Sequence, residues 1–292
     1  MKALIICLIS GEYTLFDKDT KETFIAKPRG VFRNNKTSPK VGDIVEYTKG
    51  DPHAIITKVY NRHNDFIRPS VANIDQAFIV TSVKEPDINL NLLDRMISIF
   101  EYQEITPILI FSKIDLLEES EKQTVFDTIN YYKEIGYTIV TTTTKIPLTI
   151  DDLKPYLKDK ISVIAGQSGV GKSSILNIID ENIKMDTNEI SKALNRGKHT
   201  TRYTKLFNVY DGWIADSPGF GTMELDTMDE VSVSHSFIEF FELSKNCKYN
   251  GCLHINEPHC NVKKALEEKT ILKSRYENYL QFVNEIKNKR KW

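Results

Sequence analysis

Three changes of rhythm along the 292 residues predict a multidomain chain with an all-β start, an α/β centre and a helical end. Up to about residue 68, short apolar runs alternate with turn residues. From residue 74, near-continuous apolar strands alternate with segments of helical spacing, and past about residue 225 the strand pattern stops. Domains run about 100–200 residues, so the chain divides into expected parts at 1–68, 69–225 and 226–292.

The first part reads as the short strands ALIICLI, GEYTLF, ETFIAK, DIVEY and AIITKVY. Many short strands with turn signals between them suggest a small barrel of the oligonucleotide-binding (OB-like) kind. The opening MKALIICLIS lacks the small-residue cleavage site of a signal peptide and is read as a buried first strand. The segment from Lys27 to Lys40, with Arg29, Arg33 and Lys36, reads as a basic loop able to meet RNA phosphates, or more plainly as a solvated loop.

In the central part IDQAFIVTSV, ITPILIFSK, YTIVTT, ISVIAGQS and WIADSPGF read as buried strands, and NLLDRMISIFEYQ and VFDTINYYKEIG as helices. Fully apolar strands alternating with helices indicate a parallel sheet covered on both faces. The last part carries a helical patch, VSVSHSFIEFFEL, then a Cys/His cluster, then a helix-rich tail ending KNKRKW.

Composition is that of a soluble globular protein, 40% hydrophobic and 27% charged. No apolar run approaches the roughly 20 residues that span a bilayer, so a cytoplasmic protein without membrane contact, and a monomer, is expected. The formal charge of −1 hides an asymmetry. Residues 1–69 hold 12 Lys+Arg and 8 Asp+Glu, a net of +4, whereas residues 70–225 hold 16 and 22, a net of −6.

The chemistry concentrates in GQSGVGKSS: Gly166, Gln167, Ser168, Gly169, Val170, Gly171, Lys172, Ser173 and Ser174. This is a phosphate-binding GxxxxGK[ST] loop between a strand and a helix. Its glycines let backbone N–H groups surround phosphates at a helix N-terminus. Lys172 would neutralise the β/γ-phosphates and Ser173 would ligate Mg²⁺. Downstream, Asp216-Ser-Pro-Gly219 closes an apolar strand where a second Mg²⁺-associated carboxylate and a γ-phosphate sensor belong. Between them NRGKHTTRYT reads as a switch loop, in which either Thr200 or Thr201 could close on Mg²⁺.

A base-reading motif is missing after the phosphate loop and present before it, as Ser112-Lys113-Ile114-Asp115. Asp115 would accept hydrogen bonds from the N1 and N2 groups of guanine, a donor pair that adenine lacks, and Lys113 would pack its stem along the base. The run from Thr141 to Lys145 sits where a backbone N–H could reach guanine O6. The order is a circular permutation of the usual one, tolerable because domain termini often lie close together at the surface. GTP and GDP with Mg²⁺ are the expected ligands.

Cys247-x4-Cys252-x-His254-x5-Cys260 offers three thiolates and an imidazole, a closed set suited to one structural Zn²⁺. Cys7 is read as a core residue of the first strand.

This order of motifs, with the RGKHTT segment from Arg196 to Thr201, DSPGF and the cysteine cluster, resembles the bacterial small ribosomal subunit-dependent GTPases, permuted GTPases of ribosome assembly. The resemblance spans essentially the whole chain. It implies GTP hydrolysis stimulated by the small (30S) ribosomal subunit, a role in late maturation of that subunit, contact with its rRNA, and the same four zinc ligands. One departure is Ser112, where the family usually has an Asn that tethers the base loop to the phosphate loop; a serine can replace only some of its hydrogen bonds. A glutamine often follows DxxG to orient the attacking water, but here that position is Phe220, which cannot. His199 on the switch loop is the candidate catalytic group for positioning water, alongside Lys172, and the resemblance points the same way. Two other classes stay open: a nucleotide-gated RNA-binding switch with incidental hydrolysis, and a P-loop kinase or ATPase, against which Asp115 and the DxPG turn argue.

Overall fold

A computed structural model of the chain describes residues 1–33, 38–67, 69–146, 148–179, 204–216 and 224–289. They form two compact units. One gathers Met1–Gln76, Thr149–Ile164 and Ser173–Phe220; the other gathers Ala77–Leu148, Ala165–Lys172 and Gly221–Trp292.

In the first unit, β1 (Lys2–Ile9), β2 (Glu12–Phe16), β3 (Thr23–Pro28), β4 (Ile44–Thr48) and β5 (Ala54–Val59) close a five-stranded barrel. β1 pairs with β2, β2 with β3, β3 with β5, β5 with β4, and β4 returns to β1. Only the β3–β5 pair is parallel. Ser10 and Gly11, with φ of 51° and 84°, make the tight β1–β2 turn, and both must be left-handed for its twist to match the flanking strands. The register shifts in β1 at Ile5/Cys7 and in β4 at Glu46/Tyr47, and such irregularities bend strands enough to close a small barrel. Leu4, Leu15, Ala26, Val45 and Ile56 are buried. The strand reading of MKALIICLIS therefore holds, and Cys7 is buried in β1.

Polar contacts complete the barrel. Asp17 accepts from Tyr47 Oη (2.6 Å) and from the backbone N–H of Asp19 and Thr20, which together hold its carboxyl below the usual range. Asp43, fully buried, accepts from Arg62 through Nε (2.7 Å) and Nη2 (2.8 Å), and from the Lys40 N–H. A buried carboxylate needs such compensation. After β5 come the short pair β6 (Asp65–Phe66) and β7 (Val71–Ala72).

The same unit holds α3 (Ile150–Leu157), opened by a capping box between Thr149 and Asp152, and the strands β11 (Ile161–Ala165), β12 (Lys205–Val209) and β13 (Gly212–Asp216). β11 and β13 run parallel, β12 and β13 antiparallel, and β12 meets β1 at Cys7↔Lys205. One strand thus serves both the barrel and the α/β strands.

In the second unit β8 (Gln76–Ser82), β9 (Thr106–Ser112) and β10 (Thr138–Thr141) lie in the order β10-β9-β8, with β9 and β10 parallel. β8 is buried at every residue, as its unbroken apolar run implies. α1 (Leu90–Tyr102) is capped by Asn89, whose side chain accepts from the Leu92 N–H, and α2 (Glu119–Glu134) by a Glu118/Glu121 box. α4 (Lys172–Ile179) begins at the end of the glycine loop and from Ser173 onward is part of the first unit. The C-terminal helices are α5 (Glu230–His235), α6 (Ile238–Ser244), α7 (Asn261–Glu267) and α8 (Lys273–Lys289), and no strand follows Asp216 among the described residues.

These helices bury Phe237, Phe240, Tyr279, Phe282, Val283 and Ile286 around one guanidinium. Arg275 is 0% exposed and donates to Asp94 on α1 (2.6 Å) and to both carboxylate oxygens of Glu239 on α6 (2.7 and 3.1 Å). Asp94 also accepts from Tyr132 Oη (2.6 Å) and Asn278 Nδ2 (2.7 Å).

Removing Asp94 leaves the buried guanidinium with Glu239 alone of its two carboxylate partners and strands the Tyr132 and Asn278 donors. Asp94→Ala is expected to destabilise this unit by about 3–5 kcal/mol, read from the urea unfolding midpoint. Lys273→Ala, which deletes one half of an exposed pair with Glu277 (3.5 Å), is expected to change it by no more than about 0.5 kcal/mol.

Candidate nucleotide and zinc sites

β11 ends at Ala165 and the chain turns sharply at Gly166, with φ of 142°. A Cβ there would stand 2.3 Å from the Val80 carbonyl oxygen, so no side chain fits. Gly169 and Gly171 also take positive φ, and the loop runs directly into the first turn of α4. Lys172 folds back over the loop: its Nζ donates to the carbonyls of Gly166 (2.8 Å) and Gln167 (2.6 Å). That leaves one of its three N–H donors for a phosphate. Partial burial pushes its pKa down from the usual lysine value. Ser173 and Ser174 are exposed in the helix's first turn, Ser168 and Gly169 are exposed in the loop, and Val170 is buried.

The base loop leaves β9 at Ser112, turns through Lys113 in left-handed geometry (φ 61°) and forms a single 3₁₀ turn over Ile114–Leu116. Buried Ser112 donates its hydroxyl to the Val170 carbonyl at 2.8 Å, with the Thr81 carbonyl at 3.3 Å. A hydroxyl has one hydrogen where an asparagine amide has two. The single donor goes to the phosphate loop, so the tether between the loops survives the replacement of asparagine. Lys113 Nζ is held by the Glu85 carbonyl.

Thr144, within the TTTTK run, meets Asp115 with both of its donors: its N–H lies 2.7 Å from Oδ1, and its hydroxyl donates to Oδ2. The Ile114 N–H donates to the Thr142 carbonyl (3.3 Å) and the Thr142 N–H to the Phe111 carbonyl (2.9 Å), joining the two loops. The Thr144 hydroxyl, and then its N–H, hold the Asp115 carboxyl below the usual carboxylate range. An ionised carboxylate has about four acceptor positions, of which Thr144 takes two. The sequence placed this run near guanine O6 but did not single out Thr144 as the partner of Asp115.

Asp216 closes β13. Because β13 is parallel to β11, with Val163 opposite Ala215, it ends at the sheet edge where β11 ends. His199, Thr200, Thr201, Gly219 and Phe220 lie outside the described residues.

The four proposed zinc ligands converge. Cys247 Sγ, Cys252 Sγ, His254 Nδ1 and Cys260 Sγ all lie within 4.8 Å of one another. Individual separations are 4.0 Å for Cys247–Cys260, 3.9 Å for Cys247–His254 and 3.2 Å for His254–Cys260. Zn–S bonds of about 2.3 Å at tetrahedral angles give edges of about 3.8 Å, so the set fits Zn²⁺. Cys260 is the residue preceding α7, and His254 has φ of 59°. Glu257 accepts from the N–H groups of Leu253, Ile255 and Asn256, while Tyr276 and Tyr279 donate to the carbonyls of His254 and Leu253. The two tyrosine supports are not legible in the sequence, because they reach the cluster from α8, 22 and 26 residues away. Burial pushes His254 down to about 4, so its imidazole is neutral and can ligate, and pushes the Cys252 thiol up to about 12.

Thiols raised in this way must lose protons to a metal. The purified chain is expected to hold one zinc per molecule by native mass spectrometry and to bind it more weakly as pH falls. Cys260→Ser is expected to lower zinc occupancy and the protease resistance of residues 245–262.

Residues 59–226 match the family described as RsgA GTPase, and residues 2–54 match the RsgA N-terminal domain. A Bacillus cereus protein named Small ribosomal subunit biogenesis GTPase RsgA is 45% identical across 98% of this chain and 97% of its own length. A protein of the same name from Pediococcus pentosaceus is 43% identical across 98% and 93%. Among solved structures, YloQ, described as a circularly permuted GTPase, superposes with a TM-score of 0.85 at 35% identity, covering 99% of this chain and 95% of that one. YjeQ from Thermotoga maritima superposes with a TM-score of 0.83 at 33% identity, covering 98% of both. With its permuted order of base loop, phosphate loop and DxPG strand, the chain belongs to the RsgA GTPase family and is a GTP hydrolase.

Proposed function

We propose that this GTPase acts on the small ribosomal subunit, binding it through rRNA and hydrolysing GTP in response to it during late maturation. The names of its relatives, small ribosomal subunit biogenesis GTPases, support the partner. The observation that carries the nucleotide reading is the bond from Ser112 to Val170, which couples base loop to phosphate loop.

In this reading Asp115 selects guanine, Lys113 packs along the base, and Ile114 shapes the turn between them. The backbone from Gly166 to Ser174 wraps the phosphates, with Lys172 as their counter-charge. Ser173, Thr200 or Thr201, and Asp216 surround Mg²⁺, and Gly219 responds to the γ-phosphate. Hydrolysis consumes one water and yields GDP and phosphate. Phe220 offers nothing to hold that water, so His199 positions it once the subunit orders the switch loop. The parts at 1–68, 69–225 and 226–292 serve as an RNA-binding barrel, the GTPase and a zinc-stabilised helical module. Among the described residues no helix is long and apolar enough to cross a membrane, which suits a cytoplasmic monomer on the ribosome.

The test is steady-state turnover of GTP and ATP, with and without purified small subunits, against Lys172→Ala. GTP turnover is expected to be slow alone and to rise strongly with the subunit, with His199→Ala abolishing the rise. If the subunit leaves the rate unchanged while GTP binds, the chain is a nucleotide-gated binding switch. Ser112→Ala deletes one buried hydrogen bond of about 1 kcal/mol and is expected to weaken GDP binding about fivefold, measured with a fluorescent analogue.

A further inference from the structure

The residues that follow β8, from Val83 to Pro86, belong to no nucleotide motif, yet they bracket the base loop at both of its ends. At the near end, the Val83 N–H donates to the Ser112 carbonyl (3.1 Å) and the Glu85 carbonyl accepts from Lys113 Nζ. At the far end, Lys84 Nζ donates to Glu121 Oε1 on α2 (2.5 Å), while Oε2 of the same carboxylate accepts from the Glu118 N–H (3.0 Å). Glu121 thereby ties the start of α2 to the chain leaving β8. Each charge supports the other: Glu121 raises the Lys84 ammonium above the usual lysine value, and Lys84 holds the Glu121 carboxyl below the usual carboxylate range.

This short strap is itself fixed. Ser82 donates its hydroxyl to the Lys84 carbonyl, and β8 behind it is buried throughout. Glu85 and Lys113, the two partners of the lysine bond, both hold left-handed backbone geometry, with φ of 51° and 61°. Non-glycine residues occupy that region at a cost and gather at ligand sites. On its other side the strap faces the phosphate loop: Pro86 Cδ stands 3.8 Å from the position that a Cβ on Gly169 would take. One turn of chain therefore meets both halves of the nucleotide site, and all of these residues lie in the second unit.

A lysine stem is a flexible four-carbon chain, and fixing its tip restricts the path of the methylenes behind it. The Lys113 tip rests on a strap carbonyl, and Lys84 on Glu121 sets where the strap lies. We propose that Lys84 and Glu121 are positioning residues for the base site: their pair holds the strap so that the Lys113 stem lies along the purine plane. The inference rests on the reading that Lys113 packs along the base, and adds what places it there. It also separates two tasks. Asp115 reads the N1 and N2 donors, whereas the strap supports contact with the ring face, which any purine offers.

The test compares GDP with inosine diphosphate, which keeps the ring and its N1–H and lacks the 2-amino group. Both would compete against a fluorescent GDP analogue on the full-length protein. Lys84→Met removes the pair, and Glu121→Gln keeps an acceptor for the Glu118 N–H while turning an amide donor toward Lys84. The two side chains are 29% and 35% exposed. Both variants are expected to weaken GDP and inosine diphosphate by the same factor, about three- to fivefold, and Lys84→Arg to bind as the unaltered chain does. Lys122→Met, which deletes a like charge paired with Glu119 on the same helix (2.6 Å), is expected to change nothing, and an equal loss there overturns the inference as a general effect of charge. If Lys84→Met and Glu121→Gln bind as the unaltered chain while Lys113→Met weakens binding, the positioning role is overturned and the Lys113 reading stands. If Lys113→Met itself leaves affinity unaltered, both fail. A loss that falls on GDP and spares inosine diphosphate assigns the pair to Asp115 and overturns the inference as well.

Discussion

The second unit is organised by one buried cation. The Arg275 guanidinium is removed from water and held by Asp94 and Glu239, with the rings of Tyr132 and Phe237 5.4 and 4.5 Å away. Desolvating a charge costs several kcal/mol, which only well-placed partners recover. The penalty makes the arrangement selective: α1, α2, α6 and α8 must come together in one way for every donor to find its acceptor. Burial raises the Asp94 carboxyl and Arg275 opposes it, while the flanking carboxylates keep the guanidinium charged. The Cys3His cluster inherits this order, because Tyr276 and Tyr279, which hold its His254 and Leu253 carbonyls, follow Arg275 on the same helix.

The nucleotide site shows the same economy of contacts. Three loops that follow strand ends are joined by a few hydrogen bonds: Ser112 to Val170, Thr142 to Phe111, and Thr144 to Asp115. β10, expected to be buried, is half-buried to exposed along its length. The base loop and the phosphate loop leave the buried strands β9 and β11, so their starting positions are rigid while their chemistry stays exposed. This is the general advantage of building sites on loops at the ends of a sheet. Circular permutation leaves it intact, since the strand ends occupy the same places in whatever order the chain visits them.

In the first unit β1 is shared between a closed barrel and the antiparallel pair β12–β13, beyond which β11 runs parallel to β13. A shared strand denies the barrel an independent edge and binds the N-terminal residues to β12.

What the sequence determined by itself is chemistry written over short spans. The glycine loop needs nine consecutive residues, the base motif four, and the zinc ligands lie within residues 247–260, so spacing alone restricts each to few geometries. Strand and helix types were legible where apolar runs were long, as in β8 and β9. Tertiary structure decided the contacts between distant positions: Thr144 with Asp115 across 29 residues, Ser112 with Val170 across 58, and Arg275 with Asp94 across 181. No local propensity encodes these pairings. They exist because packing the apolar faces leaves a small set of buried polar groups that must satisfy one another, and only the folded chain selects which.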